Sequence, residues 1–139
     1  HQVRFLVVGG EAVIHHGYTR FTADVDFFYQ PQKQNVQRLY AALADFWGEP
    51  VPVVEGPEDL LVEDSIIQYG CPPNRIDLIN TLGTVDFDEA WERRIEETLT
   101  DAGVTVPYPI IGLDDLLKSK RDAGRLKDLL DIQQLTSPD

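Results

Sequence analysis

Residues 5–29 read FLVVGGEAVIHHGYTRFTADVDFFY, and the remainder of the chain is best understood from here outward. The apolar run Val3–Val8 has the character of a buried strand. It ends at Gly9-Gly10, where the lack of side chains lets the backbone turn sharply. Glu11–His16 follows as a short helix with Gly17 placed to stop it, residues 18–23 form a loop, and Asp24–Tyr29 is a second strand rich in aromatic residues.

Asp24 and Asp26 stand two residues apart in that second strand. Side chains alternate across a strand, so both carboxylates project from one face while Val25 and Phe27 turn to the other, into the core. Neighbouring like charges repel, and a sheet gains nothing from them unless a cation lies between. For the pair taken by itself, the wet face of an amphipathic strand is the better explanation. Three features move the balance. The strand is otherwise apolar, so its charges cluster in one place. The Gly-Gly turn lies just upstream, where N–H groups opening a helix bear partial positive charge and glycine lets a phosphate come close. A third aspartate, Asp77, interrupts the apolar run Arg75-Ile76-Asp77-Leu78-Ile79 and faces opposite to Ile76 and Leu78. Magnesium favours oxygen ligands and commonly uses one or two carboxylates plus substrate phosphates. These parts suit phosphoryl-type transfer. Two metals can clamp a triphosphate, and a third carboxylate can hold the second metal or take a proton from the attacking hydroxyl.

Beyond this stretch, Pro31 precedes a helix over Lys33–Trp47 in which Val36, Leu39, Tyr40, Leu43 and Phe46 make one apolar face, and Gly48 and Pro50 end it. Val51–Asp59 carries two prolines, Pro52 and Pro57, and reads as loop or edge. Ile66–Tyr69 and Arg75–Ile79 read as strands joined by Gly70-Cys71-Pro72-Pro73. Asp86–Ile95 reads as a helix, its acidic run through Glu97 as a solvated face, and Thr98–Ile111 as a strand pair broken at Asp101-Ala102-Gly103. Leu113–Arg121 and Arg125–Leu135 are two helices parted near Gly124. The expected fold class is therefore α/β (α+β): a small mixed β-sheet with flanking helices over 1–111, then a C-terminal helical cap over 112–139, within a single domain spanning 1–139.

The totals agree. A chain of 139 residues fits one domain. Its net charge of −12 repels phosphate backbones, so an extended nucleic-acid groove is not expected, while a nucleic-acid end or a cationic small molecule stays open. Cys71 is the sole cysteine, which excludes an internal disulfide and gives no sign of a zinc site; a cytoplasmic location suits it. No apolar run approaches the roughly 18 residues that span a membrane, and no signal-peptide pattern opens the chain. Methionine is absent even at position 1, and a core strand begins at once, so the expectation is a piece of a longer protein.

The order Val8-Gly9-Gly10, a spacer over residues 11–23, then Asp24-Val25-Asp26-Phe27 resembles the signature of the polymerase-β-like nucleotidyltransferase superfamily, and Asp77 in Arg-Ile-Asp-Leu-Ile fits its third acidic residue. A closer resemblance is to small bacterial nucleotidyltransferases related to the abortive-infection type IV toxin group. Gly9-Gly10-Glu11-Ala12, His16-Gly17, Arg20, Thr22, Asp24 and Asp26 follow that group's pattern, and Lys120 with Arg125-Leu126-Lys127-Asp128 is similar to its tail. The resemblance implies Mg2+ or Mn2+ held by Asp24, Asp26 and Asp77, and a nucleoside triphosphate contacted by Gly9, Gly10, Arg20, Thr22 and Lys120. It also implies transfer of a nucleoside monophosphate to a hydroxyl on an RNA end, a protein or a small molecule, within a toxin–antitoxin or phage-defence system. Glu11 departs from the pattern, since an acid beside a phosphate site opposes binding unless its side chain points away.

Several residues have plainer explanations. Lys120 continues the stripe Leu113-Leu116-Leu117, so it either snorkels to water or reaches the cleft, and the resemblance favours a phosphate contact. Arg20 is either a phosphate contact or a solvated loop arginine. His15 and His16 more often cap carbonyls than bind metal, Asp114 and Asp115 suit a helix dipole, and Asp128 can pair with Arg125 or Lys127. The alternatives to an enzyme of this kind are a catalytically silent nucleotide-binding or antitoxin-type interaction module, which the intact aspartate set opposes, and a glycosyltransferase, for which the chain is short.

Overall fold

The computed structural model describes residues 2–18, 24–71 and 75–136. Its strands are β1 (Phe5–Val8), β2 (Asp24–Tyr29), β3 (Ile66–Tyr69), β4 (Arg75–Ile79), β5 (Ile95–Asp101) and β6 (Val104–Ile110). They form one mixed sheet in the order β3-β4-β2-β1-β6-β5. The parallel pairs are β2 with β4 and β1 with β6; the other neighbours run antiparallel. The helices are α1 (Gly9–His15), α2 (Lys33–Trp47), α3 (Phe87–Glu92), α4 (Leu113–Ala123) and α5 (Leu126–Thr136), with a 3₁₀ turn over Pro57–Leu61. This is the mixed sheet with flanking helices that the element order predicts. No helix among the described residues is long and apolar enough to cross a membrane.

Alternation along β2 splits the core into two layers. Phe28 packs with Leu6 and Val8 of β1, Ala12 and Val13 of α1, Phe87 and Ala90 of α3, and Leu116 of α4. Tyr29 turns to the other face, where Val36 and Leu39 of α2 meet Leu60, Ile67 and Leu78. α2 is pinned at its start by polar side chains. The Gln32 side chain accepts from the Asn35 N–H, and the Asn35 amide donates to the carbonyls of Arg4 and Gln30 while accepting from the Arg4 N–H. That leaves the buried Asn35 side chain satisfied, as burial demands. α4 buries Leu116 in the same cluster as β1 and α1, and α5 packs on α4.

The helix expected over Asp86–Ile95 is shorter in the structure. The Asp86 side chain caps it by accepting from the Glu89 N–H, and α3 ends at Glu92. Ile95 opens β5 opposite Ile110 instead, so Glu96 and Glu97 lie on an edge strand and not on a solvated helix face. Pairing along all of β6 outweighs the helical preference of a glutamate-rich run. The β5–β6 hairpin closes through Ala102 and Gly103, both with positive φ (51° and 81°), the two-residue turn whose twist matches its strands.

Candidate metal centre

Register builds the site. β2 and β4 pair with Asp24 opposite Arg75 and Asp26 opposite Asp77, while β1 sets Val8 opposite Asp26. Residues directly opposite one another share a face. Asp24, Asp26, Arg75 and Asp77 therefore stand on the Phe28 side of the sheet, the side covered by α1 and α4, with α2 behind. One carboxylate oxygen from each of Asp24, Asp26 and Asp77 lies within 4.8 Å of the others.

Crowding three carboxylates has a measurable consequence. Burial pushes the Asp26 carboxyl up to about 6, with the charges of Asp77 and then Asp24 adding to the rise and Arg75 opposing it. Asp26 Oδ1 is shielded from solvent and has no hydrogen-bond partner among the described residues. A buried acceptor left this way costs about 1–3 kcal/mol. A hard divalent cation would take it as a ligand, and an all-oxygen donor set is what Mg2+ and Mn2+ prefer. The three aspartates thus fit the ion that the resemblance implies.

Arg75 is the site residue that sequence reasoning left aside. Its Nη2 donates to Asp24 Oδ2 at 2.5 Å and to Asp77 Oδ2 at 3.3 Å. Its Nε lies 3.1 Å from Asp77 Oδ1, near enough for an ion pair but too poorly aligned for a hydrogen bond. The signal was present in Arg75-x-Asp77, since two-residue spacing puts the guanidinium on the carboxylate face.

Gly9 is the second determinant. It opens α1 with φ +65°, and a Cβ built there would stand 2.3 Å from Asp26 Oδ2. The close approach seen at Gly9 is thus to the Asp26 carboxylate. Gly10 is buried in the first turn of α1. Arg20 and Thr22, the other expected nucleotide contacts of this region, lie outside the described residues.

Lys120 does not snorkel to water. It is buried between α4 and α5, with Nζ 3.2 Å from Asp128 Oδ1 and 3.1 Å from Asp131 Oδ2. Two carboxylates on the facing helix draw the ammonium inward, a partnership that the sequence did not reveal. Burial pushes Asp128 up, but hydrogen bonds from Arg125 and Lys120 outweigh it and hold the carboxyl below its usual range. Lys120→Met should cost roughly 3–5 kcal/mol in urea unfolding, because it removes the buried cation that Asp128 and Asp131 share. Full stability with lost activity would point to the phosphate contact instead. The hydrogen bond to Asp128 raises the Arg125 guanidinium above its already high ordinary value, and the Asp26 charge adds to the rise, which sets the α4–α5 corner near the triad.

The remaining candidates are structural. His16 Nε2 lies 2.9 Å from the Ile111 carbonyl. Asp115, assigned from sequence to a helix dipole, is buried and accepts from both Arg93 Nε and Nη2 at 2.9 and 2.8 Å.

No curated protein matches the chain. Residues 1–136 match the family described as "Nucleotidyltransferase of unknown function (DUF6036)". With nearly its full length matched and three aspartates gathered on one sheet face, the chain belongs to this nucleotidyltransferase family.

Proposed function

We propose that the protein transfers a nucleoside monophosphate from a nucleoside triphosphate to an acceptor hydroxyl and releases pyrophosphate, using Mg2+ or Mn2+. The observation that supports this best is the convergence of Asp24, Asp26 and Asp77, with the buried, partnerless Asp26 Oδ1 among them. In this reading Asp24 and Asp26 hold the cation, and Asp77 completes its ligands or accepts the proton of the attacking hydroxyl. When bound, the cation supplies positive charge to the triphosphate and to the oxygens that attack and leave. Gly9 leaves the space in which the Asp26 carboxylate keeps its position. The net charge of −12 favours an acceptor met at a point, an RNA end, a protein side chain or a small molecule, over a long duplex. The motif shared with the abortive-infection type IV group extends the proposal to a role in a toxin–antitoxin or phage-defence system.

A second reading, a silent nucleotide-binding or interaction module, draws on Arg75, which already pairs with two of the three carboxylates. Incubation with each of four labelled triphosphates, Mg2+ and a cell extract separates the two. Transfer predicts label on one class of acceptor together with pyrophosphate release. Triphosphate binding without either product over hours would leave only the module.

A further inference from the structure

We infer that Arg75 is an internal counter-cation that holds free divalent metal off the triad and yields its place only when metal arrives with a triphosphate. This rests on the triad being a metal site. The guanidinium spans Asp24 and Asp77, so it takes lone pairs from two of the three prospective ligands at once. It is also a fixed positive charge in contact with the carboxylates that would receive a dication, and the two repel. Among the described residues it is the cation paired with the triad.

The Arg75 side chain remains 29% exposed, so it is not locked in. A guanidinium pairs with a phosphate as well as with a carboxylate, through the same planar fork. A triphosphate arriving with its cation therefore offers both halves of the exchange. The carboxylates trade an arginine for the metal, and Arg75 trades a carboxylate for a phosphate oxygen. Metal and nucleotide are thereby coupled, each raising the affinity for the other. Free metal is left weakly bound, and Asp24 and Asp77 stay neutralised between turnovers.

The test is a Mn2+ titration followed by electron paramagnetic resonance, without nucleotide, on the wild type, Arg75→Gln and Arg75→Lys. Arg75→Gln should bind Mn2+ roughly tenfold more tightly or better, because it removes both the competing donor and the repelling charge. Arg75→Lys keeps the charge but loses the fork, and should gain less. Adding Asp26→Asn to Arg75→Gln should abolish the gain, which ties the new affinity to the triad. Circular dichroism checks that each variant folds; if Arg75→Gln does not, Arg75→Lys carries the test through its smaller gain. Wild-type affinity equal to or above that of the arginine variants would overturn the role of Arg75 and leave the metal site standing. Absence of Mn2+ binding in every variant, at concentrations up to about a hundred times those that saturate ordinary carboxylate sites, would overturn both.

Discussion

Asp26→Asn is expected to abolish nucleotidyl transfer and, at the same time, to make the metal-free protein more stable. Loss of an outer partner of a metal site costs roughly 10–100-fold, and loss of a direct ligand should exceed that. The stabilisation has the opposite origin. Asp26 lies beside Asp77 and near Asp24, and burial together with those charges lifts its carboxyl from 3.8 to about 6. Between those values the folded protein binds more protons than the unfolded chain, so its stability falls as pH rises. The contribution is fully present below the unfolded value and is lost as pH passes through about 6. Partial exposure screens the effect, leaving on the order of 1–2 kcal/mol at pH 8. An asparagine avoids the loss, and its amide can donate to Asp77. Urea unfolding of both proteins at pH 4 and pH 8 should show the variant more stable only at the higher pH. Equal stability at both values would mean that the carboxylates are not crowded.

Gly9→Ala should damage both the fold and the metal site. A left-handed backbone costs a non-glycine residue about 1–2 kcal/mol, and Gly9 sits there with φ +65°. The added Cβ also meets Asp26 at 2.3 Å from Oδ2, 3.1 Å from Cγ and 3.3 Å from Cβ. Asp26 is short and anchored in a paired strand, so it can yield only by swinging its carboxylate away from Gly9. Gly17→Ala is the control. Its φ of +113° is equally unsuited to alanine, but nothing among the described residues lies within 4 Å of the added carbon. Both variants should lower stability in urea, and only Gly9→Ala should weaken Mn2+ binding. Unchanged Mn2+ affinity in Gly9→Ala would show that the contact with Asp26 does not shape the site.

Much of the site is legible from alternation alone. Two-residue spacing puts Asp24 with Asp26 and sets Asp77 against Ile76 and Leu78, and the bounds read for the strands β2, β3 and β4, and from helical spacing for α2, are those observed. Which strand neighbours β2 is a different matter. That β4 lies beside it in parallel, with Asp77 opposite Asp26, follows from long-range pairing that no local pattern encodes. Lys120 shows the same limit. Its position on the apolar stripe is readable, but the two aspartates that draw it inward belong to the next helix. The α3–β5 boundary escaped because Glu96 and Glu97 suit a helix locally and are claimed by β6. Arg75 was available to sequence reasoning and was passed over as a strand residue. Gly9 reads as a turn glycine, and only coordinates reveal that the space it leaves belongs to Asp26.

Everything about the chemistry rests on a cation gripped by Asp24, Asp26 and Asp77. Crystals grown with Mn2+ and a non-hydrolysable nucleoside triphosphate, measured for anomalous scattering from manganese, locate that cation. The account expects a peak within coordination distance of carboxylate oxygens from all three aspartates, adjoining the triphosphate and missing from Asp26→Asn. Manganese bound elsewhere, or a triphosphate seated away from these residues, would remove the basis for the enzyme.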